Sequence, residues 1–153
     1  MYDYFVADLH CPGCGTVSPT TANTNMQTSI RGEADGSALG VGYSFDPIDL
    51  TTQHILSAGY ALISAPVTAG SMRLLDLWIC PACQTEQWAM VEIVGGRIEG
   101  IEAVQMTRAS FERANFISEG NADFLAEELT GVTQSEIAER KLNSVEILRQ
   151  RLQ

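Results

Sequence analysis

Residues that would name a chemistry are scarce in this chain of 153. It has two histidines, His10 and His54, and no G-x-S-x-G, Walker loop or H-E-x-x-H pattern. The hydrolase, nucleotide-binding and metalloprotease classes therefore lose their usual signal. Gly40-Val41-Gly42 is too little for a dinucleotide loop. Long hydrophobic runs are missing too. The longest weakly polar stretch, residues 55–67, is broken by Ser57, Gly59, Tyr60, Ser64 and Pro66, far from the roughly 20 apolar residues of a membrane span. The opening Met1-Tyr2-Asp3-Tyr4 carries neither a basic region nor a leucine-rich run, which predicts a cytoplasmic, reducing location. Bases are few: nine Lys and Arg face 19 Asp and Glu, for a net charge of −10. Such a body repels phosphate backbones, so nucleic acid is a poor partner, while solubility or a basic protein partner suits it. Hydrophobic content of 45% with 18% charge is that of a folded domain.

Cysteine is also scarce, but its placement is informative. All four residues fall in two pairs, Cys11-Pro12-Gly13-Cys14 and Cys80-Pro81-Ala82-Cys83. In a reducing compartment, paired cysteines bind metal more often than they form disulfides. A C-x-x-C turn folds the backbone back after the first thiolate, so that amide N–H groups point at that sulfur. Pro12 and Pro81 fix φ at the start of each turn. Gly15 then permits a left-handed exit from the first turn, and Gln84 in the matching place predicts a less regular second turn. Four thiolates meet the tetrahedral demand of one structural zinc, with Cys11, Cys14, Cys80 and Cys83 as ligands. Iron would accept the same set. A redox dithiol normally opens a helix, whereas both pairs here follow strand-like segments. Four sulfurs also close the coordination shell, leaving no position for a catalytic water.

Elsewhere the patterns are local. Residues 2–9 alternate as a strand leading into the first pair, with Tyr4 and Val6 opposite Phe5, Ala7 and Leu9. Residues 26–31 suggest a short strand, 50–57 a helical turn, 60–64 a strand, and 72–79 a strand entering the second pair. Gly95-Gly96 predicts a hairpin between 87–94 and 97–106, with a bulge near Gly100. Beyond Thr107 the periodicity becomes helical. Residues 108–116 read as one helix, and 122–130 as a second, capped by Asn121 and closed by Gly131. Thr133-Gln134-Ser135-Glu136 is a capping box for a third. There Ala138, Leu142, Val145, Leu148 and Leu152 form one apolar stripe, which predicts a continuous helix over 133–153 and a surface for homodimerisation.

The two Cys-Pro-x-Cys knuckles, with Gly15 after the first and the hairpin ending at Met106 after the second, resemble the zinc-ribbon or rubredoxin-like class. The resemblance covers about a third of the chain. It implies a small antiparallel sheet clamped by one metal, with the 65 residues between Cys14 and Cys80 folding out as an insertion. The expected fold is α+β: a zinc-ribbon-like β domain over 1–106, interrupted by an insertion over about 15–71, then a helical segment over 107–153.

The expected function is a zinc-stabilised acidic binding protein of inhibitor, immunity or adaptor type, and not an enzyme. Two alternatives stand beside it. Residues 131–140 resemble the second helix of helix-turn-helix DNA-binding domains, with 144–149 as the recognition helix, although Leu142 stands where glycine is usual and Glu146 is acidic. An enzyme would instead build its site from residues 32–71, as a pocket with convergent ionisable groups away from the cysteines. His10 and His54 read as non-ligands, Asp46 and Asp49 as loop and cap residues, and one of Trp78 and Trp88 as a shield for the sulfurs.

Overall fold

The Gly95-Gly96 turn joins two of the longest strands of the molecule. The structure, a computed structural model, describes residues 2–19, 26–139 and 143–153. In chain order its strands are β1 (Asp3–Phe5), β2 (Leu9–His10), β3 (Val17–Ser18), β4 (Gln27–Thr28), β5 (Ala38–Leu39), β6 (Tyr60–Leu62), β7 (Met72–Ile79), β8 (Glu86–Val94), β9 (Arg97–Val104) and β10 (Phe116–Ser118). Its helices are α1 (Thr52–Ser57), α2 (Arg108–Arg113), α3 (Glu119–Thr130), α4 (Gln134–Glu139) and α5 (Ser144–Arg151). Gly95 and Gly96 hold φ at +58° and +85°, as a two-residue turn between β8 and β9 requires. The register slips between Glu92, opposite Gly100, and Ile93, opposite Ile98, so Glu99 is the bulged residue.

The principal sheet has the order β6-β10-β7-β8-β9, and period-two alternation gives it two apolar faces. Met72, Leu74, Trp78, Val91 and Ile93 face one core, shared with Phe5, Leu9, Met26 and Leu39 of the N-terminal segment. Leu75, Trp88, Met90 and Ile117 face the other, shared with Phe111, Ala122, Ala126, Val145 and Leu148 from the helices. The C-terminal helices cover one side, and the small N-terminal sheets with α1 cover the other, so the α+β class holds.

Five expectations need correction. Asn121 does not cap the second helix, because α3 begins at Glu119 with Ser118 at its N-cap and Asn121 lies inside its first turn. The first strand is split: Asp3–Phe5 pairs with β4 and β5, whereas Leu9–His10 pairs with β3 as a separate hairpin. Burial still alternates from Asp3 to His10, so its pattern was right and its continuity was not. The pairing is not wholly antiparallel, because β1/β5 and β10/β7 run parallel. The helix expected over 108–116 stops at Arg113. Ala114 turns extended with ψ of 153°, and Phe116-Ile117-Ser118 enter the sheet between β6 and β7, where both edges offer hydrogen bonds.

The continuous C-terminal helix is two helices. Asn143 is extended, with φ −98° and ψ 119°, and its side chain accepts from the N–H groups of Val145 and Glu146, starting α5 afresh. Thr133 caps α4 as expected, its hydroxyl accepting from Glu136 N at 3.1 Å. Within the proposed stripe Ala138 is exposed and Ile137 is buried instead, while Leu142 lies outside the described residues. Val145, Leu148 and Leu152 are spent on this chain's own core, which removes the apolar face on which dimerisation was expected.

Candidate metal centre

Each cysteine pair sits at the tip of a hairpin, and the two tips have the same backbone. In the first, β2 and β3 carry the pair. Cys11 N donates to Thr16 O at 3.0 Å, and Gly15 N donates to Cys11 O at 2.9 Å. In the second, between β7 and β8, Cys80 N donates to Thr85 O at 3.1 Å and Gln84 N donates to Cys80 O at 2.7 Å. Gly15 has φ +74° and Gln84 has φ +59°, the one positive φ of a non-glycine among the described residues. The second knuckle is therefore as regular as the first, contrary to expectation. Its closing hydrogen bonds outweigh the cost of a left-handed glutamine.

Contact between β2 and β9 sets the first hairpin beside the second. Cys11 Sγ and Cys83 Sγ are 3.7 Å apart, as are Cys14 Sγ and Cys80 Sγ, and all four sulfurs lie within 4.8 Å of one another. Four sulfurs at about 2.3 Å from a common tetrahedral centre would be separated by about 3.8 Å. The spacing fits. All four are free cysteines, and 3.7 Å is well beyond a sulfur–sulfur bond of about 2.05 Å, so neither pair is a disulfide. The four cysteines are positioned to hold a metal ion, and an all-sulfur tetrahedron is compatible with zinc.

The two knuckles approach closely at Gly13. A Cβ added at Gly13 would come within 3.2 Å of Gln87 Nε2 and 3.6 Å of Cys11 Sγ. Cys11 and Cys80 are buried in the same apolar cluster as the fully buried Trp78. Cys14 is exposed, so the cluster opens to solvent on that side.

Hydrogen bonds bias these sulfurs unequally. The Thr16 hydroxyl and amide hold Cys14 below the usual thiol range. The Thr85 hydroxyl, 2.9 Å from Cys83 Sγ, and the Thr85 amide hold Cys83 down to about 6. Gln87 Nε2 donates to Thr85 Oγ1 at 2.9 Å, which leaves the Thr85 hydrogen free for the sulfur. At Cys80 the Cys83 amide acts in the lowering direction, but burial and the neighbouring Cys14 and Cys11 sulfurs prevail and push it up to about 11. These are the hydrogen-bond donors a thiolate cluster needs around it.

Thr16 and Thr85 were missed in the sequence, although the signal was present. Both knuckles read C-P-x-C-x-T, and the threonine follows its cysteine by two in each. Neither histidine joins the cluster. His10 is exposed on β2, and His54 Nε2 lies 2.6 Å from Ile30 O. Asp46 caps the turn at Pro47–Leu50 by accepting from Ile48 N, and Asp49 accepts from Gly32 N, as loop residues do. No helix is long and apolar enough to cross a membrane among the described residues. Comparison with known proteins gives no matching family model, curated protein or solved structure.

Proposed function

We propose that this is a zinc-stapled acidic binding protein whose partner is a protein with a basic face, in the manner of an inhibitor, immunity-type protein or adaptor. The observation that carries the zinc reading is the meeting of two knuckles, 66 and 72 residues apart in sequence, at sulfur separations of 3.7 Å. Zinc would join the N-terminal hairpin to the central one and contribute folding energy rather than chemistry. A zinc-ribbon-like arrangement is supported by each pair's place between two antiparallel strands. A closed shell of four sulfurs favours a non-enzymatic role for that centre. The net charge of −10 favours a basic partner, through steering of encounter more than through affinity.

The test has two arms. Elemental analysis of the purified chain should give one zinc per molecule. Cross-linking in the native host, followed by co-purification, should recover a basic protein that high salt releases. A chain that carries iron, or none of these metals, would overturn the zinc assignment.

A second reading, a DNA-binding regulator, gains support from one observation. The break between α4 and α5 puts a new helix at Ser144, where a recognition helix would begin. Burial of Val145 and Leu148, and acidic Glu146 in the first turn of α5, weigh against it. Fluorescence anisotropy with mixed DNA at low salt separates the readings, since tight, salt-sensitive binding belongs to the second.

A further inference from the structure

One ionisable group away from the cysteines stands without a countercharge. Asp76 lies in the middle of β7, on the face that presents Leu74 and Trp78 to the core, and is 2% exposed. Tyr60 donates to Asp76 Oδ2 at 2.6 Å, and Tyr60 Oη is 3.2 Å from Thr28 Oγ1. Asp76 Oδ1 makes no hydrogen bond among the described residues, and the ion pairs there all involve other carboxylates. A buried carboxyl with one partner is costly to keep, and such groups concentrate where a ligand supplies the missing interaction.

Asp76 has somewhere to reach. It lines a cavity of about 470 Å³ together with Thr28 and Tyr60, with Tyr2, Ser118 and Asn121 also on the wall. The cavity lies where β10 ends at Ser118, and the pairing of β7 on that side stops at Leu75. No Lys, Arg or His lines it, and its titratable groups are Asp76, Tyr60 and Tyr2. The rest of its polar lining is hydroxyl and amide. Its volume suits a small molecule or one inserted side chain.

We propose that this cavity binds a compact organic cation, an ammonium or guanidinium group, with Asp76 as its counter-ion and Tyr60 holding the carboxylate in place. An anion would be buried beside a carboxyl with no base to receive it. A neutral ligand would leave Asp76 uncompensated. A cation donates to Oδ1 while Tyr60 keeps Oδ2, and the negative charge of the whole chain raises its local concentration. This site is independent of the metal reading, since its residues and ligand are separate from the cysteines. Tyr60 comes from the stretch 32–71, where the sequence offered no motif.

The test uses the full, metal-loaded chain. Calorimetric titrations compare n-butylammonium, n-butylguanidinium, the neutral isostere n-butanol, and a blocked Gly-Arg-Gly peptide. Saturable binding of the cations, about tenfold or more tighter than butanol, is expected, with a loss of about tenfold or more in Asp76→Asn. Binding by the free cations marks a small-molecule site, and binding by the peptide alone marks a pocket for a partner's arginine. Where Asp76→Asn does not fold, Asn121→Phe at the half-buried rim should block entry with metal content unchanged. The proposal is overturned if neither the free cations nor the peptide bind better than butanol, or if what binds the parent binds either folded variant undiminished.

Discussion

Gln84 does in the second knuckle what Gly15 does in the first: each turns left-handed, at φ +59° and +74°, and donates its N–H to the first cysteine of its pair. A side chain in this conformation costs roughly 1 kcal/mol, and glycine avoids the cost. Gln84→Gly should therefore raise the stability of the metal-loaded protein by about 0.5–1 kcal/mol in denaturant titration, less the entropy glycine adds to the unfolded chain. The reverse change, Gly15→Gln, should lower it by about 1 kcal/mol. Nothing lies within 4 Å of a Cβ built there, so strain acts without collision. A destabilised Gln84→Gly would mean that the glutamine side chain supplies a contact that outweighs its strain.

Metal removal should be felt throughout the fold. The zinc reading ties Cys11 and Cys14 to Cys80 and Cys83 across a loop longer than 60 residues. Closing a loop of that length is worth roughly 4 kcal/mol in the unfolded chain. Cys80→Ser should lose the metal and lower the melting temperature by roughly 8–16 °C, given about 2–4 °C per kcal/mol at this size. A chelator should produce the same shift in the unaltered chain, with access from the exposed Cys14 side. A Cys80→Ser protein that keeps one metal per chain and melts within 2 °C of the parent would remove the staple from the account.

Asp3 and Arg31 make the complementary case of a charge buried with its partner. Asp3 is fully buried at the start of β1. It accepts from Arg31 Nε at 2.8 Å, Arg31 Nη2 at 3.0 Å, Asp35 N at 3.1 Å and Ser37 N at 3.0 Å. Burial alone would raise its pKa, but the Arg31 hydrogen bonds and the two amides hold it below the ordinary carboxylate range. A carboxyl lowered on folding stabilises the protein above its unfolded pKa, and that stability is lost as pH falls through the folded value. Arg31→Met leaves the carboxylate buried with amides alone. It should cost about 3 kcal/mol near pH 7 and less as pH falls through the lowered folded value of Asp3, where the parent too loses the charge that Arg31 compensates. Urea titrations at pH 7 and pH 3 measure the difference, and an equal cost at both pH values would show that Arg31 acts through packing.

The sequence was legible where a residue type forces a local geometry, and illegible where partners far along the chain decide. The cysteine pairs, Gly95-Gly96, the bulge beside Gly100, Gly131 and the Thr133 cap were all readable, because each depends on a few neighbouring dihedrals. β2, β3, β4 and β5 are two residues each, too short for any period to register. β10 is three residues that begin on the last residue of an apparent helix, recruited by open edges on β6 and β7. Asn143 could have been read as a cap, but the spacing of Val145, Leu148 and Leu152 suggested continuity with what precedes it. Asp76 was invisible as a site residue, since a polar residue in a strand ordinarily marks the wet face. Only the tertiary packing of Tyr60 and Thr28 over it shows that this strand is buried there on both faces.

That buried carboxyl should write its own signature on the pH dependence of stability. Burial pushes Asp76 up to about 7, and the Tyr60 hydrogen bond offsets only part of this. A carboxyl raised on folding binds its proton more tightly in the native state, so its effect runs opposite to that of Asp3. Stability should fall as pH rises from about 4, the unfolded value, to about 7, and level off above. The span of about three units corresponds to roughly 4 kcal/mol between the ends of that window. Asp76→Asn keeps an acceptor for the Tyr60 hydroxyl and removes the ionisation. It should flatten the curve between pH 4 and 7 and leave the variant more stable than the parent at pH 8. Tyr60→Phe should act in the other direction, removing the donor that favours the ionised form and extending the decline to higher pH. Denaturant midpoints taken at half-unit intervals from pH 4 to pH 8 test all three chains. Parallel curves for the parent and Asp76→Asn would mean that Asp76 is ionised and satisfied throughout, by a partner other than Tyr60.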